Sequence, residues 1–256
     1  MKKFLVALSM AWGNFSILPC PYKRWDSKLS NYMLAVFPLV GVVIGGLWAL
    51  LAWGLLQLQT PVLLLGGVLI FWPFAASGWM HLDGFMDVCD AVLSRRDLGE
   101  RQRILKDPHT GSFAVCGVIF LLLFWVGAMG TFLLQKLYLA DLAVFFLIPV
   151  VSRFGSALWV MSFPPMATSQ YAQVTGQRER RGCLLLATLW TLLAFAAASL
   201  LWGQQQTLLL VAAVELAVSL AACLYGRHSL GGMNGDIAGY SLCLAELAGM
   251  LAAALQ

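Results

Sequence analysis

The chain has 256 residues, of which 61% are hydrophobic and 11% charged, with a formal net charge of +4 and a mean hydropathy of +0.82. That balance lies outside the range of soluble globular domains and points to a polytopic integral membrane protein. Such a chain is all-α, because lipid offers exposed backbone groups no partner and each span must close its own hydrogen-bond ladder. No P-loop, Rossmann or Ser-His-Asp signature is present, which argues against nucleotide hydrolysis, hydride transfer and acyl transfer by their usual routes. Nucleic-acid binding has no support, since the basic residues are those that membrane topology alone would place.

Taken in chain order, FLVALSMAWGNFSIL opens the sequence with the length of a signal-peptide core. No small-residue cleavage site follows, and Pro19 and Pro21 close it instead, so it reads as a short helix in the membrane interface. YKRWDSK then sits at headgroup level, where aromatic and basic side chains are at home. Seven apolar stretches long enough to span follow, at 32–58, 61–80, 113–134, 139–163, 183–202, 207–226 and 237–255. The fold expected is a helix bundle of about seven spans plus the N-terminal helix, a single domain over residues 1–256. Gly41 and Gly45, with Gly46 beside them, give the first span a small-xxx-small surface for close helix packing. Fourteen of the sixteen Lys and Arg residues fall in the N-terminal segment or in the loops near 81–112, 164–182 and 227–236, leaving Lys136 and Arg153. Those segments alternate with short turns at 59–60, 135–138 and 203–206, so the positive-inside rule puts all four on the cytoplasmic face. The six cysteines are scattered without a C-x-x-C pair and read as small apolar filler.

The loop at 81–112 holds the chemistry. Residues 29–80 contain no formal charge, and then His81–Ser112 carries six acidic and five basic residues, beginning with HLDGFMDVCDA. At about 100° per residue, Asp87 lies about 40° from Asp83 around a helix and Asp90 about 20° to the other side. Three carboxylates on one face repel, and a divalent cation removes that repulsion; carboxylates with waters and substrate phosphates suit Mg²⁺. Gly84 and Ala91 leave room for a ligand to approach the backbone. The blander reading is a solvated acidic helix end paired with Arg95, Arg96, Arg101 and Arg103. Further on, ERQRILKDPHTGSF supplies Arg101, Arg103, Lys106, Asp107, His109 and Gly111, a set suited to a phosphate or, more simply, to anionic headgroups.

GRHSLGGMNGDIAG, residues 226–239, gathers Gly231, Gly232, Gly235 and Gly239 around Asn234 and Asp236 just before the final span. A glycine-rich turn at a helix N-terminus can receive phosphate, with Asp236 as metal ligand or orienter of a nucleophile; an Asp there is also a common cap. Three charges lie deep inside spans, Arg153, Glu215 and Glu246, whereas Asp141 is near the outer end of its span and reads as solvated. Arg153 reaches either a substrate phosphate or one of the glutamates.

Taken together, HLDGFMD, then ILKDPHTG, then GGMNGD before the last span resemble the cobalamin synthase family, the adenosylcobinamide-GDP ribazoletransferases. FSILPCP, FPLVGVVIGG and SRFGSALW are similar to that family's patterns as well, so the resemblance covers nearly the whole chain. It implies a transferase of cobalamin (vitamin B12) biosynthesis that joins adenosylcobinamide-GDP to α-ribazole or its 5′-phosphate and releases GMP, with Mg²⁺ as cofactor. In that reading Asp83 and Asp87 hold the metal with Asp90 beside them. Arg101, Arg103, Lys106, Gly111, Arg153, Gly232, Asn234 and Gly235 contact substrate. His81, Asp107 and Asp236 are the candidates to orient or deprotonate the attacking hydroxyl. The expected setting is the cytoplasmic (inner) membrane of a prokaryote, with the site facing the cytoplasm and the oligomeric state left open. Two other membrane-embedded diphosphate chemistries fit less well: the CDP-alcohol phosphotransferase signature is absent, and a prenyltransferase would carry two aspartate-rich loops. An ion-coupled transporter, with Arg153, Glu215 and Glu246 lining its path, is the alternative outside the enzymes.

Overall fold

The computed structural model describes residues 2–20, 22–135, 138–167 and 177–256, the side chains of 177 and 178 excepted. Lys136, in the expected 135–138 turn, lies outside them, as do residues 168–176 of the expected 164–182 loop. Eleven α-helices form among the described residues: α1 (Lys2–Phe15), α2 (Ser30–Ala35), α3 (Phe37–Gln57), α4 (Val62–Ala76), α5 (Met80–Leu93), α6 (Leu98–Ile104), α7 (Ser112–Leu134), α8 (Leu142–Ser162), α9 (Gln177–Trp202), α10 (Gln205–Leu230) and α11 (Gly235–Ala254). Six are long and apolar enough to cross a membrane by themselves, α3 and α7 to α11, and α4 with α5 makes a seventh candidate bent by 87°. This is the polytopic helical protein that composition predicts.

Two departures from the expected spans have local causes. The first span breaks at Val36, whose backbone leaves the helical region at φ −98° and ψ 0°, and Pro38 follows in the first turn of α3, where its missing amide costs no hydrogen bond. The second ends early. Pro73 sits inside α4, Ser77 Oγ donates to the carbonyls of Pro73 and Phe74, and Gly78 and Trp79 both take left-handed backbone angles of φ +64°. Glycine does this freely, whereas tryptophan pays roughly 1–2 kcal/mol. The chain leaves the turn as α5, which runs across one end of the bundle instead of continuing through it.

α8 and α11 are the most enclosed spans, and α7 and α9 the most open. On α9, Leu185, Leu189, Leu192, Leu200 and Leu201 are left outside the core, as suits a lipid-facing surface. α3 meets α8 backbone to backbone: a Cβ on Gly41 would strike the Pro149 carbonyl and one on Gly45 the Phe146 carbonyl, while one on Gly46 would meet nothing. The two ends of the bundle differ as the loop charges predict. At one, Gln135 reaches the Ala254 carbonyl, Gln204 the Asp141 carboxylate and Thr207 the Gln256 amide oxygen. At the other, Arg101 and Gln102 donate to the Ser229 and Leu230 carbonyls, and Pro165 pairs with Met233 in a short parallel bridge. The 81–112, 164–182 and 227–236 segments therefore meet on one face through their described residues.

Inside the bundle, Arg153 and Glu246 are buried and bonded at 2.7 Å, Nη1 to Oε1, with Ser152 Oγ donating to the same oxygen at 3.0 Å. Glu215, also fully buried, packs against Gly249, and its carboxylate has no hydrogen-bond partner among the described residues.

The α3–α8 seam yields a direct test. Gly45→Val should cost about 1–3 kcal/mol through overpacking, whereas Gly46→Ala should leave the protein as stable or slightly more so. Thermal unfolding of the two variants in detergent, followed by circular dichroism, distinguishes them.

Candidate active site

The acidic cluster is assembled by two helices that come closer than side chains normally allow. A Cβ on Gly84 of α5 would lie 2.9 Å from the Asp236 Cα, and a Cβ on Gly239 of α11 would lie 2.9 Å from the His81 carbonyl oxygen. The two glycines, each facing the other helix's backbone, let α5 and α11 touch, and Phe85 and Tyr240 stack beside the contact at 5.5 Å between ring centroids. The room at Gly84 thus receives helix α11, where the sequence suggested a ligand. It brings Asp236 alongside Asp83 and Asp87.

Asp83 is exposed, and Asp87 and Asp236 are half-buried. α5 lies outside the six spanning helices. Burial first, then the charges of Asp83, Asp236 and Asp90, push the Asp87 carboxyl up to about 7. Four carboxylates therefore act on one another across this end of the bundle, and their mutual repulsion is what a bound cation would relieve. Among the described residues, no three His, Cys, Asp or Glu side chains already stand at metal-ligand distance. Mg²⁺ takes one or two carboxylates and completes its shell with water and substrate phosphates, so Asp83, Asp87 and Asp236 fit it as a donor set without a prebuilt cage.

Asp236 is held by its neighbour. Asn234 caps α11 by accepting from the Ile237 amide at 2.9 Å, and its Nδ2 donates to Asp236 Oδ2 at 2.7 Å. The glycines around it serve the backbone: Gly231 ends α10 in a left-handed cap at φ +81°, and Gly232, at φ +154°, packs against Met166. The anion-receiving turn expected of Gly232 and Gly235 is here a chain reversal tied to the 164–166 segment.

Asp90 has partners on another helix. Its Oδ2 accepts from the Gly111 amide at 2.6 Å and its Oδ1 from the Ala114 amide at 2.8 Å, so it caps the N-terminus of α7 from across the cleft. The shared face of the three aspartates is real, but the third is spent on a helix end, and Gly111, expected at the substrate, is its anchor. No local pattern betrays a cap supplied from twenty residues away.

The remaining candidates are dispersed. His81 is buried, its ring packed with those of Phe15 and Phe37; burial first, then Arg153, push its imidazole down to about 3, so it stays neutral and shielded. Arg153 takes the second of its two alternatives: it is fully buried inside the bundle and paired with Glu246. Arg103 is exposed and bonded to Glu100 through two hydrogen bonds, Lys106 is exposed at the end of α6, and exposed Asp107 caps the His109 amide and ring. Arg101, with Gln102, fastens α6 to the end of α10. Gln102 was not singled out by sequence, and its position between two arginines gives no signal for that role.

Fold and site define a polytopic helical membrane protein that gathers carboxylates from two helices at one end of its bundle. The chain belongs to the cobalamin-5-phosphate synthase family, whose pattern residues 7–254 match. Among its relatives, the adenosylcobinamide-GDP ribazoletransferase of Clostridium perfringens strain 13 is 34% identical, with 98% of each chain covered. That of Clostridium botulinum strain Alaska E43 is 32% identical over 100% of this chain and 99% of its own. That of Geobacillus kaustophilus strain HTA426 is 33% identical over 84% and 82%. No solved structure matches the chain.

Asp90→Ala leaves two helix-end amides without acceptors and should destabilise the protein by about 1–3 kcal/mol. Hydrogen exchange at Gly111 and Ala114 should accelerate more than at the far end of α7; uniform protection along α7 would show that the cap is dispensable.

Proposed function

We propose that the protein is a Mg²⁺-dependent transferase that joins adenosylcobinamide-GDP to α-ribazole or its 5′-phosphate, giving adenosylcobalamin or its 5′-phosphate and GMP, on the cytoplasmic face of a prokaryotic inner membrane. Family membership supports the reaction class. The observation that carries the assignment of the site is the backbone contact of α5 with α11, which gathers Asp83, Asp87 and Asp236 where polar substrates can reach them.

The reaction is a phosphoryl transfer. The ribazole 3′-hydroxyl attacks the phosphorus attached to cobinamide, a new phosphodiester bond forms, the diphosphate bridge breaks and GMP leaves with the bridging oxygen. Such chemistry asks the protein chiefly for alignment and charge stabilisation. Asp83 and Asp87, with Asp236 adjacent, would hold Mg²⁺, which when bound neutralises charge on the diphosphate oxygens. Asn234 occupies Oδ2 of Asp236 and leaves Oδ1 to accept a hydrogen bond from the incoming hydroxyl, so Asp236 is the best placed of the three base candidates. His81 is shielded and Asp107 is turned to His109. Lys106 and Arg103, exposed on and just after α6, would draw in the substrate phosphates, while Arg101 and Gln102 hold α6 to α10.

Purified protein in liposomes, supplied with both substrates and Mg²⁺, should yield the joined product and GMP by mass spectrometry. EDTA should abolish product, and Asp83→Asn or Asp236→Asn should lower turnover by about a hundredfold or more. Glu215→Gln should retain turnover. Loss of function in Glu215→Gln with Asp83→Asn fully active would instead favour an ion pathway through the bundle.

A further inference from the structure

The net charge of the protein resides in its first thirty residues. Lys2, Lys3, Lys23, Arg24 and Lys28 face one carboxylate there, Asp26, while the remaining eleven acidic and eleven basic residues balance. The fold folds this segment back on itself. After α1 the chain runs alongside the helix it has just left: Trp12 Nε1 donates to the Leu18 carbonyl at 3.0 Å, and the Arg24 amide donates to Ser9 Oγ at 3.1 Å. Between helix and returning segment lies a cavity of about 520 Å³, lined by apolar atoms of Leu5, Leu8, Trp12, Pro19 and Tyr22, among others. It is open at the surface, where Leu5 is 51% and Tyr22 46% exposed. A second hollow, more polar, is bordered by Val6, Arg24, Trp25, Asp26 and Ser27.

We propose that this slot binds one anionic phospholipid, an acyl chain lying between α1 and the returning segment and the headgroup phosphate held by Lys23 and Arg24. Three observations favour a lipid over a soluble ligand. The apolar lining stands open with Leu5 and Trp25 exposed at the two hollows, surface suited to the bilayer interface. The first thirty residues carry five cationic side chains against one carboxylate, Arg24 borders the second hollow, and Asp26 Oδ1 accepts from the Lys28 amide at 3.0 Å. The Arg24 guanidinium lies 5.7 Å from the Tyr22 ring centroid, the aromatic and cationic pairing found at headgroup depth.

Native mass spectrometry of the full-length protein, released from nanodiscs containing phosphatidylglycerol and phosphatidylcholine in equal amounts, tests the site. Wild type should retain one phosphatidylglycerol in preference to phosphatidylcholine. Lys23→Gln with Arg24→Gln, both on the exposed rim, should lower that preference by about fivefold per charge removed. Leu8→Trp, which fills the slot and keeps every charge, should abolish retention in a protein that still elutes as a folded species. Retention in the input ratio by wild type, or unchanged retention in both variants, would overturn the proposal. Displacement of the lipid by millimolar inorganic phosphate would overturn it too, since a bare phosphate site has no use for the acyl chain.

Discussion

Everything at the acidic end depends on how near α11 can come to α5. Carboxylates repel, and a helix pair held apart by ordinary side chains would let them drift. Gly84 and Gly239 remove the side chains at the two points of contact, so backbone meets backbone and Asp236 arrives beside Asp83 and Asp87. The same device recurs in the membrane interior, where Gly41 and Gly45 seat α3 on α8. In lipid, close van der Waals packing takes over the role that water exclusion plays elsewhere, and small residues are how helices obtain it.

The interior and the end of the bundle use charge in opposite ways. Arg153 and Glu246 pair where both are buried, a bond that ties α8 to α11. At the end, the carboxylates are left facing one another with too few protein cations nearby, because Arg101 is tied to the Ser229 carbonyl and Arg103 to Glu100. Carboxylates left without cationic partners stay available to whatever binds there.

Hydropathy made the spans legible, since a 20-residue apolar run in lipid has few alternatives to a helix, and helical periodicity correctly set Asp83, Asp87 and Asp90 on one face. The partner of each polar group was not legible. Asp90 looked like a metal ligand and is a cap for α7, because the amides it serves come from a segment whose direction only the packing decides. Arg153 looked equally suited to phosphate or glutamate until α11 placed Glu246 against it. The 87° turn was foreshadowed by Gly78, but nothing in the sequence signals that Trp79 would share its left-handed geometry. Glycines in GGMNGD suggested an anion cradle and proved to be what lets one chain segment fold tightly over another.

The cluster also has a place in time. Its members come from α5 and α11, separated in the chain by some 140 residues, and at a synthesis rate of roughly 5–20 residues per second α11 leaves the ribosome about 7–30 s after α5. During that interval the groove at Gly84 has nothing in it, and Asp83 and Asp87 wait at the membrane surface without their third carboxylate. The full set of carboxylates therefore assembles only with α11, after every other described helix has been made.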